Sequence, residues 1–146
     1  MKTSNCMKIE FLSRSVNEGF ARTAVAAFVS QLDPTLAELE DIKTAVSEAV
    51  TNAIVHAYPQ SIGKIVLRVR ILDGETVELN VRDMGCGIAD VEQAKEPLFT
   101  TGGEERSGMG FTIMESFMDT LRIRSQLGRG TSVTMRRKLQ VRGEKE

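Results

Sequence analysis

Between Thr35 and Pro59 the chain carries an apolar stripe that fits one kind of secondary structure. Ile42, Ala45, Val46, Ala49, Val50, Ala53, Ile54 and Ala57 keep the 3.6-residue period for four turns, which predicts an amphipathic helix buried on one face. Thr35, with Glu38 three residues on, is a capping box that opens it, and Pro59 and Gly63 end it. Ser15 with Glu18 has the same pattern one element earlier. It predicts a first helix on which Val16, Phe20, Ala24, Ala27, Phe28 and Leu32 share a face, stopped by Pro34.

Helices with apolar stripes need a second layer, and the flanking segments read as strands. Met7 to Leu12 is a short strand; Ile65, Leu67, Val69 and Ile71 alternate with other residues, as do Val77, Leu79 and Val81. Asp73-Gly74 suggests a two-residue hairpin turn, but that loop would pair Val69 with Glu78 and put the two apolar sets on opposite faces. A three-residue loop keeps them together, so a bulged turn is expected. Leu121, Ile123, Val133 and Met135 predict a second hairpin around Gly128-Arg129-Gly130, and Met109 to Met118 has helical spacing. The order predicts an α/β sandwich, with helices on one face of a mixed, mainly antiparallel sheet. The alternating crossovers of a doubly wound fold are absent.

The chain has 146 residues and places no linker or repeat, so residues 1–146 read as one domain. With 19 Lys+Arg against 20 Asp+Glu, it has no basic footprint for nonspecific nucleic-acid binding, and no direct nucleic-acid partner is expected. No apolar run nears the ~20 residues of a membrane span. Met1 to Glu10 lacks the apolar core of a signal peptide, so a cytoplasmic protein without membrane contact is expected. Two cysteines, Cys6 and Cys86, are too few for a disulfide framework or a zinc cage.

Three segments could carry chemistry. Glu48, Asn52 and His56 recur every four residues along one flank of the second helix's apolar stripe; they are either solvated edge residues or one wall of a site. Asp83-Met84-Gly85-Cys86-Gly87-Ile88 follows a strand. It is a turn by default, or else a carboxylate aimed into a pocket that glycines let the backbone approach. Arg106-Ser107-Gly108-Met109-Gly110-Phe111 precedes a helix, where free N–H groups and the helix dipole suit phosphate, though a flexible loop reads the same way. A P-loop and the His-Arg-Asp and Asp-Phe-Gly motifs of eukaryotic-type kinases are absent.

In this order, Glu-x-x-x-Asn on a helix, Asp-x-Gly-x-Gly after a strand and Gly-x-Gly before a helix resemble the GHKL ATPases, whose nucleotide pocket is the Bergerat fold. Gln31-Leu32-Asp33-Pro34, Pro97-Leu98-Phe99-Thr100-Thr101 and Arg106 to Glu115 narrow the resemblance to the anti-sigma-F factors of endospore-forming bacteria. Those are serine kinases that hold a sporulation sigma factor inactive and phosphorylate their anti-anti-sigma antagonist. The stress-response anti-sigma-B kinases share the same boxes. A histidine-kinase catalytic domain and a noncatalytic, nucleotide-gated anti-sigma module are the other readings.

The resemblance implies a role for each matching position. Glu48 would be the general base and Asn52 the Mg²⁺ ligand. Asp83 would accept from the adenine amino group, with Gly85 and Gly87 permitting close approach. Thr131 matches a threonine near the base, and Thr100, Thr101, Arg106, Ser107, Gly108, Met109, Gly110 and Phe111 would border ATP. Residues from about Ala89 to Arg106 would form a lid; the family's Lys-Pro after the paired threonines is missing here. Arg22 matches an arginine that contacts the sigma factor. A homodimer is implied, with the exposed part of the first helix as its seam.

Overall fold

The computed structural model describes residues 1–95 and 110–140. Strand β1 (Thr3–Leu12) leads into helices α1 (Val16–Val29) and α2 (Leu36–Asn52), then strands β2 (Lys64–Leu72) and β3 (Thr76–Asp83). A four-residue helix α3 (Val91–Ala94), helix α4 (Gly110–Phe117) and strands β4 (Thr120–Gln126) and β5 (Gly130–Lys138) complete the order. The strands form one sheet in the order β1-β2-β3-β5-β4. All four pairings are antiparallel, so the mixed component expected from sequence is absent among the described residues. The reason is the α1–α2 hairpin: two helices in succession return the chain to the end it left, and β2 then runs against β1.

Both hairpins have the three-residue loops that parity demands. Leu72 pairs with Thr76 and Val69 with Leu79, leaving Asp73-Gly74-Glu75 as the turn, with positive φ at Asp73 and Gly74. Gln126 pairs with Gly130. One face of the sheet is consequently apolar in register. Ile9, Leu67, Val81, Val133 and Ile123 form one cross-strand row, and Met7, Val69, Leu79, Met135 and Leu121 the next. Against them α2 buries Ile42, Ala45, Val46, Ala49 and Val50, and α4 buries Met114. Each large apolar side chain so buried stabilises the fold by about 1.5–3 kcal/mol.

Two expectations about α1 are corrected. Its buried face is Ala21, Val25 and Val29, whereas Val16 and Phe20 are exposed; Phe20 stands edge-on to Phe11 of β1 at 6.5 Å between ring centroids. Small residues let α1 lie close to α2, so the helix turns its bulky residues outward. Ser15 makes no side-chain cap: its backbone is already helical, at φ −57 and ψ −32, and the Glu18 N–H donates to the Ser15 carbonyl at 3.2 Å. The Glu18 side chain accepts from the Ser47 hydroxyl at 2.8 Å and pairs with Arg22 at 3.3 Å. The Thr35–Glu38 capping box forms in both directions, at 3.1 and 2.8 Å, and the second Glu38 oxygen accepts from the Gln140 N–H. A 3-10 turn at Ser30–Leu32 ends α1, with Asp33 at φ 50 and Pro34 barring any continuation.

Candidate functional site

The apolar stripe of α2 continues to Ala57 in sequence, but the helix changes type after Asn52. Residues Ala53–Ala57 form a π turn, a widening frequent at functional sites and one that leaves carbonyls free for outside partners. Here the partner is the glycine segment after β3. The Cys86 N–H donates to the Ala57 carbonyl at 3.0 Å, and the Cys86 thiol donates to the His56 carbonyl at 3.0 Å. Gly85 permits this contact, since a Cβ there would strike the Ala57 carbonyl. Glu48, Asn52 and His56, all half-buried, line one wall of a cavity of about 420 Å³.

Asp83, buried at the end of β3, lines the same cavity. Its Oδ1 accepts from the Gly85 N–H at 2.9 Å and the Thr131 N–H at 3.2 Å, and among the described residues nothing donates to Oδ2. Burial pushes its pKa up, and the two backbone bonds pull it partly back. A desolvated carboxylate with one oxygen fixed and the other facing a cavity is an acceptor waiting for a donor. Gly87, at φ +77, and Thr131 also line the cavity.

Three residues that organise this wall were not picked out from sequence. The Tyr58 hydroxyl donates to the Lys64 carbonyl and accepts from the Met84 N–H, both at 2.8 Å, with its ring over Gly63. It therefore pins the backbone immediately after Asp83. Burial raises the Tyr58 pKa, the Met84 bond opposes this, and the Asp83 charge raises it further. The Ser125 hydroxyl accepts from the Ile88 N–H at 2.7 Å and bonds the Thr131 hydroxyl at 2.8 Å. Ser47, beside Glu48, ties Glu18 to α2. Their signals are faint because each acts on a partner far away in the chain.

Helix α4 begins at Gly110 against the Asn52 side chain: a Cβ at Gly110 would lie 2.8 Å from Asn52 Nδ2. Phe111 lines the cavity beside it. The sequence boxes at Asn52 and Gly110 are thus brought into contact. Thr100, Thr101, Arg106, Ser107, Gly108 and Met109 lie outside the described residues, as does the expected lid from 96 to 106. Its described start is α3, where Asp90 caps by accepting from the Gln93 N–H at 3.0 Å. Among the described residues no three His, Cys, Asp or Glu side chains could hold a metal. The Asn52 amide oxygen suits Mg²⁺ carried on phosphates, which takes one or two protein ligands and keeps its waters.

A second, polar cavity of about 150 Å³ lies on the outer side of α2, lined by Arg22, Glu40, Lys43, Thr44, Ser47 and Glu48. Glu48 borders both cavities. Arg22, exposed, pairs there with Glu18 at 3.3 Å, and Glu18 in turn accepts from Ser47.

Comparison with known proteins fits this arrangement. The sequence model of the Histidine kinase-like ATPase domain matches residues 11–137. The anti-sigma F factor of Caldanaerobacter subterraneus subsp. tengcongensis is 58% identical over 136 residues, which are 92% of this chain and 94% of the relative. That of Clostridium perfringens strain SM101 is 52% identical over 92% of this chain and 97% of its own. The chain belongs to the anti-sigma F factor family. As an anti-sigma F family member it carries a nucleotide-binding domain of the ATPase type. Its fold, a GHKL α/β sandwich, recurs in the crystal structure of the RsbU and RsbW domains of a Mycobacterium tuberculosis protein. That match has a TM-score of 0.68 at 20% identity, covering 93% of this chain and 33% of that one. It recurs also in the mycobacterial sensor histidine kinase MprB, with a TM-score of 0.58 at 17% identity over 94% of this chain and 99% of that one.

Proposed function

We propose that this anti-sigma F family protein is an ATP-dependent protein-serine kinase, and that residues 1–146 act as one domain. Its acceptor is the anti-anti-sigma antagonist, and its sequestered partner is a sporulation sigma factor of the sigma-F type. The observation that carries this reading is the position of Glu48, shared by the large cavity and the polar cavity that Arg22 lines. A base in that wall can meet ATP on one side and a protein hydroxyl on the other.

In the proposed reaction the acceptor serine gives its hydroxyl proton to Glu48 as its oxygen bonds the γ-phosphorus. The bridging oxygen leaves with ADP. Asn52 would hold Mg²⁺, which neutralises charge on the phosphates. Asp83 Oδ2 accepts from the adenine amino group, and the first turn of α4 at Gly110 and Phe111 offers N–H groups to phosphate. Thr131 positions Asp83 through its N–H. Arg22 meets the protein partner at the polar cavity. Leu12, Val16 and Phe20, exposed together near the free edge of β1, form the seam of a homodimer. No helix among the described residues is long and apolar enough to cross a membrane.

The test is phosphoamino-acid analysis of the anti-anti-sigma protein after incubation with labelled ATP and this protein. Label on serine is expected. Label on histidine, or none with ATP bound, would overturn the proposal.

A further inference from the structure

The formal net charge of −1 conceals a strong asymmetry. The helices cover one face of the sheet, and the cross-strand register fixes which side chains stand on the other. One outward row is Lys8, Arg68, Asn80, Thr134 and Arg122. The rows flanking it are Cys6, Arg70, Glu78, Arg136 and Thr120, and Glu10, Val66, Arg82, Ser132 and Arg124. These three rows hold seven basic residues and two acidic ones, five net positive charges on a chain that is otherwise acidic.

Part of that charge is neutralised locally. Glu78 takes Arg70 on one oxygen at 2.7 Å and Arg136 on the other at 2.8 Å, and Lys8 pairs with Glu10 at 3.6 Å. Arg68, Arg82, Arg122 and Arg124 are exposed, and no acidic partner is found for them among the described residues. They frame a polar centre in which the Asn80 amide donates to the Ser132 and Thr134 hydroxyls, each at 2.9 Å. Arg82 and Arg124 share a row across Ser132; Arg68 and Arg122 share the next.

We propose that this open sheet face is a second docking surface, for an acidic segment of a protein partner, on the opposite side of the sheet from the nucleotide cavity. Charge complementarity selects the occupant. Four guanidinium groups on one face match carboxylates in bidentate geometry. The rows contain no aromatic ring on which a base could stack. Glu78 and Glu10 interrupt the field, which disfavours a continuous phosphate backbone and suits a patterned protein surface. Val66 and Cys6 are the only apolar residues in the three rows, so the association is electrostatic, fast and salt-sensitive.

The experiment measures binding of a short labelled Glu/Ser peptide to the full chain by fluorescence anisotropy, with labelled duplex DNA alongside. The variants are Arg68→Glu/Arg124→Glu and, as an off-face control, Lys2→Glu/Arg14→Glu; ATP affinity is measured in each to show that the fold is intact. The expected result is peptide binding by wild type that weakens with salt and falls about tenfold or more in the sheet-face variant, with the control and ATP affinity little changed. Equal peptide affinity in wild type and sheet-face variant would overturn the proposal. So would duplex DNA bound more tightly than peptide, or self-association of the chain that the same reversal abolishes.

Discussion

The two ends of α2 are built from similar residues for different ends. At the N-terminus Thr35 and Glu38 satisfy each other's backbone, and Glu38 also holds the Gln140 N–H, so these side chains are spent within the fold. At the C-terminus Glu48 and Asn52 face a cavity, and the helix widens into a π turn whose carbonyls are taken by the segment after β3. One end closes the structure and the other leaves it open to a ligand. The comparison teaches that a polar residue beside an apolar stripe is ambiguous until its partners are known.

The comparison can be broken first at Glu48. Glu48→Gln is expected to slow single-turnover phosphoryl transfer by about 10²–10⁴-fold, with ATP affinity kept; transfer at the wild-type rate would remove the base. Next is Asp83→Asn, which presents a donor to the adenine amino group and should weaken ATP by about 1–3 kcal/mol in a calorimetric titration. The pH dependence sharpens this. Because the folded-state pKa of Asp83 is raised, wild-type ATP affinity should begin to fall with acidification above the ordinary carboxylate value of about 3.9, while the variant stays flatter. Stability runs the other way. The folded chain binds this proton more readily than the unfolded one, so the Asp83 contribution declines as pH rises from the ordinary value through the raised one. The variant should therefore keep its thermal stability near neutrality.

At the closed end, Thr35→Ala should cost about 1 kcal/mol, seen as a lower Tm with ATP affinity unchanged. An effect of similar size is expected from Tyr58→Phe, which leaves the Met84 N–H and the Lys64 carbonyl without their shared partner. A net loss of about 0.5–1.5 kcal/mol should appear as a raised KM for ATP at unchanged kcat. A fall in kcat alone would contradict a positioning role.

Much of the fold was legible because parity leaves few options. The alternation of Val69 and Leu79 excluded a two-residue turn, and the three-residue loop followed. The face of α1 was misread because Val16 and Phe20 look like core, whereas contact with α2 selects Ala21, Val25 and Val29. The Ser15 cap failed since the Ser15 backbone is helical and its carbonyl, not its hydroxyl, takes the Glu18 N–H. The π turn has no local signature, as the 3.6-residue period runs through it unbroken. In the site, Glu48, Asn52, Asp83 and Gly110 stood out through motif spacing. Tyr58 and Ser125 did not, because they act on backbone N–H groups 26 and 37 residues away. The charged sheet face was hidden for a related reason: net charge is a sum, and only the register sorts it by side.

The most direct measurement is amide hydrogen exchange across the chain with and without Mg²⁺-ATP. The account predicts increased protection at Ala53–Tyr58 and Asp83–Ile88, the two segments joined by the Ala57 and His56 carbonyls, with Thr35–Leu39 unaltered. Unchanged exchange at Asp83–Ile88 under saturating ATP, or protection gained equally at both ends of α2, would contradict it.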